Sequence, residues 1–145
     1  MATLWIDADA CPVKDEALRV GLRHGARVVM VSNGGIRPSA YLGAEVVVVP
    51  EGPDVADLHI AEGAAPGDVV VTADIPLAAR AVAAGARVVK PNGEALDQRN
   101  VGQALASRDL AADLRAADPF RQGGGRPFSK ADRSRFLDAL DRALR

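Results

Sequence analysis

Cysteine is almost missing from this chain, with Cys11 the single one in 145 residues. That scarcity excludes an intramolecular disulfide and any cysteine-rich zinc site, and it fits a reducing compartment, so the expected location is cytoplasmic. Aromatic residues are also few, at 3% of the sequence: one Trp, one Tyr and three Phe. A surface of base-stacking platforms is therefore excluded, and any nucleic-acid contact has to run through the phosphate backbone. No uncharged apolar run approaches the roughly 20 residues that span a bilayer. The opening Met1-Ala2-Thr3-Leu4-Trp5 lacks the basic start and apolar centre of a secretion signal, so no membrane partner is expected.

What is present matches one ordinary globular domain over residues 1–145. Hydrophobic residues make up 48% and charged residues 26%, close to globular averages, which argues against disorder and fibrous repeats. The net charge of −1 hides an asymmetry: residues 1–118 carry 11 Lys and Arg against 16 Asp and Glu, while residues 119–145 carry 7 against 3. The acidic body and the basic C-terminal segment, read as a loop plus a helix, are thus expected to have different electrostatic tasks.

Short apolar runs alternate with polar turns and with Ala/Leu/Arg stretches of helical spacing, the pattern of βαβ units. Strands are expected at 4–6, 27–31, 45–49, 68–72 and 87–90. Val46-Val47-Val48-Val49 and Val69-Val70-Val71 do not alternate with polar residues, as expected of strands covered by helices on both faces. Pro and Gly punctuate the intervening helices: one near 12–24, a second between Pro53 and Gly63, a third between Pro76 and Gly85. A longer helix is expected over 98–117 on an apolar stripe of Val101, Leu105, Leu110 and Leu114. The glycine-rich loop 122–127 follows, and Ser129 then caps a final helix carrying Phe136, Leu137, Leu140 and Leu144. The fold class is α/β, a three-layer domain with a mostly parallel five-stranded sheet. Right-handed crossovers give it the order 3-2-1-4-5.

Aspartates gather where such sheets bind ligands, outside the carboxyl ends of the strands. Asp7 and Asp9 close the first strand, and period-2 alternation points both carboxylates the same way, about 6.6 Å apart, if the strand continues that far. Asp54 and Asp57 lie three residues apart at a helix start, hence on one face. Asp74 ends the fourth strand. Each of these is also a favoured helix cap. Several carboxylates converging, however, repel one another unless a proton or cation neutralises them, and hard oxygen donors of this kind suit Mg²⁺ or Mn²⁺.

Three strings resemble the YaiI/YqxD family of bacterial proteins: Trp5-Ile6-Asp7-Ala8-Asp9-Ala10-Cys11-Pro12-Val13-Lys14, Val71-Thr72-Ala73-Asp74-Ile75-Pro76-Leu77-Ala78, and Gly125-Arg126-Pro127-Phe128-Ser129 continuing into Asp132-Arg133-Ser134-Arg135-Phe136-Leu137. That family is in turn similar to the PIN-like and NYN nucleases. The resemblance implies a PIN-like domain in which the first-strand acid is Asp7 with Asp9 beside it, the mid-chain helix acid is Asp54 or Asp57, and the later strand-end acid is Asp74. Asn33, at the end of the second strand, is the position to hold a phosphate or a water. The family often has an aromatic residue where this chain has His59, here read as a plain helical histidine.

The reading is a metal-dependent phosphodiesterase acting on RNA, with Asp7, Asp9 and Asp74 catalytic and Asp7, Asp9, Asp54, Asp57 and Asp74 available to Mg²⁺ or Mn²⁺. Arg133 and Arg135, in the basic segment, are expected to hold the nucleic-acid backbone, and the stretch from Gly123 to Arg135 is expected to border the acidic cleft. A haloacid-dehalogenase-like phosphatase would use the order Asp7, Asp9, Ser32, Asp74, but no lysine lies between Lys14 and Lys90 to bind its phosphate. A binding module without catalysis is the third reading. Cys11, at a helix start, is either a reactive thiol or a buried one. His24 reads as a helix-end cation.

Overall fold

The computed structural model describes residues 2–52, 54–108 and 128–145. Six strands form one sheet: β1 (Thr3–Asp7), β2 (Arg27–Ser32), β3 (Ala44–Val48), β4 (Val69–Val71), β5 (Arg87–Val89) and β6 (Ala95–Leu96). Their order is β3-β2-β1-β4-β5-β6. The first five run parallel in the order expected from the sequence, and β6 adds an antiparallel edge through the pairs Val88 with Leu96 and Val89 with Ala95. The sequence reading has no sixth strand, because two residues carry no periodicity and the pairing is made by backbone alone.

Helices cover both faces. They are α1 (Lys14–Arg23), α2 (Val55–Gly63), α3 (Ile75–Ala83), α4 (101–108) and α5 (Lys130–Leu144). Pleating sends Leu4 and Ile6 of β1 into the layer formed with α1 and α5, together with Met30, Val71, Phe136 and Leu140. Trp5 goes to the opposite layer with Val29, Val70, Ile60 of α2 and Leu77 of α3, and Val101 and Ala104 of α4 pack on that side. Strands buried on both faces have to be apolar throughout, which is why the valine runs show no alternation. β3 departs from this rule: Val48 is 58% exposed, because an edge strand has helix cover over only part of its surface.

Local chemistry sets the element ends. Asp74 caps α3 by accepting from Leu77 N–H at 2.8 Å. Ser129 and Asp132 form a reciprocal capping box at α5, with Ser129 N–H donating to Asp132 at 3.0 Å and Asp132 N–H donating to Ser129 Oγ at 3.1 Å. Asp54 precedes α2 with φ of +66° and makes no side-chain cap. The remainder of the helix expected over 98–117, and the loop 122–127, lie outside the described residues, as does Pro53. Among the described residues, no helix is long and apolar enough to cross a membrane.

α5 runs alongside α1 in the same direction. At its start, Arg133 Nε lies 3.7 Å from Glu16 in the first turn of α1, and Gly93 backs so closely on Arg135 that an added Cβ would come within 2.6 Å of the Arg135 backbone. At its end, Asp141 accepts from His24 Nε2 at 2.7 Å and from Arg23 at 3.2 Å. The start of α5 therefore sits at the carboxyl edge of the sheet.

Candidate functional site

Strand β1 delivers Asp7 to the carboxyl edge, and β4 stops one residue before Thr72. The buried Thr72 hydroxyl donates to Asp7 Oδ2 at 3.0 Å and accepts from Asp74 N–H at 3.0 Å, so one side chain orders two aspartates from different strand ends. Asp57, in the first turn of α2, approaches the same point from another element. Burial holds the Asp7 carboxyl above its ordinary range; the Thr72 hydrogen bond opposes this, and the charges of Asp9 and Asp74 add to it. Asp57 is pushed up to about 6, first by burial, then by the charges of Asp74 and Asp7, a hydrogen bond with Asp74 and, last, the charge of Asp54. Asp7, Asp57 and Asp74 are thus brought together, with Asp54 on the margin.

Asp9 goes elsewhere. The strand ends at Asp7 and the chain turns into a 3-10 segment at Ala8–Ala10, so period-2 alternation does not continue to Asp9. Its carboxylate reaches the end of β2, with Ser32 Oγ at 2.6 Å and Asn33 N–H donating at 3.0 Å. The Ser32 hydroxyl proton is shared between Asp9 and the Gly34 carbonyl oxygen at 2.7 Å, and its oxygen accepts from Gly34 N–H at 3.1 Å. Asp9 therefore fastens the loop after β2, and it is the backbone N–H of Asn33 that engages it. Sequence reasoning passes over Thr72 as a site component and weighs Ser32 only in the phosphatase order. The available signal is a hydroxyl residue at or next to a strand end, beside each acid.

The two arginines of the basic segment have internal partners. Arg133 pairs with Glu16, whose side chain is 14% exposed, and its guanidinium lies 5.8 Å from the Phe128 ring centroid. Arg135 pairs with Asp132, itself buried. The described part of the expected border, 128–135, lies at the carboxyl edge, and 123–127 lie outside the described residues. His59 of α2 meets the buried Trp5 edge-on with ring centroids 6.2 Å apart. Cys11 is buried, and its thiol is pushed up to about 11, mainly by burial.

The donor set fits a hard dication in kind: carboxylate oxygens partly buried and close together, one of them pushed up to about 6, next to a fixed hydroxyl. It is not a closed cage, since among the described residues no three Asp, Glu, His or Cys side chains already stand at ion-holding geometry. Asp7 uses one oxygen on the Thr72 hydroxyl, and Asp74 uses one on the Leu77 N–H while also bonding Asp57.

Comparison with known proteins places the chain among bacterial relatives. The family model described as "Uncharacterized BCR, YaiI/YqxD family" matches residues 5–145. A UPF0178 protein of Cereibacter sphaeroides is 73% identical over 100% of this chain and 90% of its own length. Another from Roseobacter denitrificans is 66% identical over 100% of this chain and 96% of its own, and one from Caulobacter vibrioides is 54% identical over 99% and 94%. No solved structure matches. The three strings that carry the likeness, including Asp7, Thr72 and Asp74, all fall within the matched span, and the chain belongs to the YaiI/YqxD family.

Proposed function

We propose that the protein is a cytoplasmic metal-dependent phosphodiesterase that cleaves RNA, with Mg²⁺ or Mn²⁺ held by Asp7, Asp57 and Asp74 and with Asp54 and Asp9 flanking them. One observation carries the reading: three carboxylates from three separate elements crowd together at the carboxyl edge, where burial first and then the charges of Asp74 and Asp7 push Asp57 up to about 6. Maintaining such a cluster is costly for folding, and a dication removes the cost. The similarity to PIN-like nucleases read from the sequence points the same way.

In this reading Thr72 fixes the orientation of Asp7 and, through the Asp74 N–H, the start of α3. Asp9 keeps the loop after β2 clear of the cluster through Ser32 and Asn33. A dication bound there supplies an activated water and neutralises charge on the phosphoryl oxygens. The phosphatase alternative draws no support from Ser32, whose hydroxyl is tied to Asp9 and Gly34.

The test is hydrolysis of bis(p-nitrophenyl) phosphate and of single-stranded RNA with Mg²⁺ or Mn²⁺, comparing the wild type with Asp74→Asn and Asp74→Ala. Asparagine still caps a helix, so Asp74→Asn should keep its melting temperature while kcat/KM falls by about a hundredfold or more. Asp74→Ala should lose about 1 kcal/mol of stability in addition. Hydrolysis that survives Asp74→Asn, or that needs no divalent ion, would overturn the proposal. RNA binding without hydrolysis would instead indicate a binding module.

A further inference from the structure

A second feature of the carboxyl edge has no part in the carboxylate cluster. Asn100, just before α4, and Gln103, Ser107 and Arg108 at helical spacing within it line a cavity of about 500 Å³ together with Lys90, just after β5, and Ile75. Ile75 directly follows Asp74, so the cavity opens beside the cluster. Its chemistry contrasts with that of the aspartates. Lys90 and Arg108 line it with three neutral polar side chains, Asn100, Gln103 and Ser107, and the one acid of the lining, Glu94, pairs with Lys90 at 3.1 Å.

We infer that this groove holds the phosphodiester backbone of single-stranded RNA next to the bond that the carboxylates cleave, an inference that rests on the function proposed above. A site made only of aspartates repels phosphate and needs cations close by to admit it. Arg133 and Arg135 are poorly placed to serve, because drawing them to a phosphate would take a cation from Glu16, 14% exposed, or from Asp132, 4% exposed. The partner of Lys90 differs: Glu94 is 53% exposed, so water replaces the lysine at little cost when a phosphate takes it. From Asn100 to Arg108 the α4 face extends about 12 Å, longer than one phosphate group, so the groove suits a chain and not a small ester. The few aromatic residues leave backbone contacts as the means of recognition.

Exposed Gln103 provides the test, since Lys and Glu are both good helix formers there and change only the sign of the groove. Binding of a fluorescein-labelled single-stranded RNA is measured by anisotropy across a salt series for the wild type, Gln103→Lys and Gln103→Glu, with melting temperatures recorded alongside. Gln103→Lys should tighten binding about fivefold at low salt and steepen the salt dependence by about 0.7, while Gln103→Glu should weaken binding by a similar factor. Opposite shifts of this kind do not arise from a structural defect. If both variants bind as the wild type does, or shift in the same direction, the groove is overturned, and wild-type hydrolysis of bis(p-nitrophenyl) phosphate lost in Asp74→Asn would leave the phosphodiesterase reading standing. Opposite shifts without any hydrolysis would keep the groove as an RNA site and overturn the catalytic reading.

Discussion

Thr72 Oγ1 lies 3.0 Å from Asp7 Oδ2, a buried hydrogen bond between residues 65 positions apart in the chain. It opposes the effect of burial on Asp7 while the same oxygen receives the N–H of Asp74, so the hydroxyl couples the ends of two neighbouring strands. Thr72→Val keeps the shape and removes the bond. It should cost about 1–3 kcal/mol in urea unfolding, because the Asp7 carboxylate stays buried without its donor. Asp7 should then titrate higher, followed by carboxyl NMR, and Mn²⁺ affinity should fall about 10–100-fold. Thr72→Ser should restore all three.

Burial first, and then the charges of Asp74 and Asp7, push Asp57 up to about 6, so removing its charge should relieve the cluster. Asp57→Asn is expected to raise the melting temperature of the metal-free protein at pH 7.5 by roughly 2–4 °C. It should also abolish the further rise that Mn²⁺ gives to the wild type. A lower melting temperature in the variant would assign Asp57 a structural role.

At the other edge of the sheet, Asp141 joins α1 to α5. Hydrogen bonds from His24 first, then Arg145 and Arg23, hold its carboxyl down at about 2. A carboxylate lowered by folding contributes stability that is present above the ordinary value of 3.8 and disappears as pH falls towards 2. The wild type should therefore lose stability over that window relative to Asp141→Asn, whose acid-unfolding curve should be flatter there. Parallel curves for the two proteins would show that the network adds nothing measurable.

Cys11 is buried among apolar neighbours and its thiol is pushed up to about 11 from 9.0, so it should be inert to DTNB at pH 8 in the native protein and react fully after denaturation. The sign of the pH effect is opposite to that of Asp141. The unfolded thiol loses its proton first, so stability should fall as pH rises from about 9 to about 11. Cys11→Ala should remove that alkaline component, and rapid native labelling would contradict the burial.

The sequence by itself determined the alternation of strands and helices, the parallel order of the first five strands, the caps at Asp74 and Ser129, and the acids that crowd the carboxyl edge. Each of these is written in local periodicity, in Pro and Gly punctuation or in a residue next to an element end, which neighbours in the chain read without help. Tertiary structure alone decided the rest. β6 exists only because two residues meet the backbone of β5, and Asp9 leaves the cluster because the chain turns immediately after Asp7. Thr72 acquires its task from the register that sets β4 beside β1. Arg133 and Arg135 read as substrate ligands because they form a basic cluster, yet Asp132 engages Arg135 within α5 and Glu16 engages Arg133 once α5 docks on α1. A charged side chain shows its sign in the sequence, but its partner is whichever opposite charge lies within reach, and for Arg133 that reach is fixed by contact between segments more than a hundred residues apart.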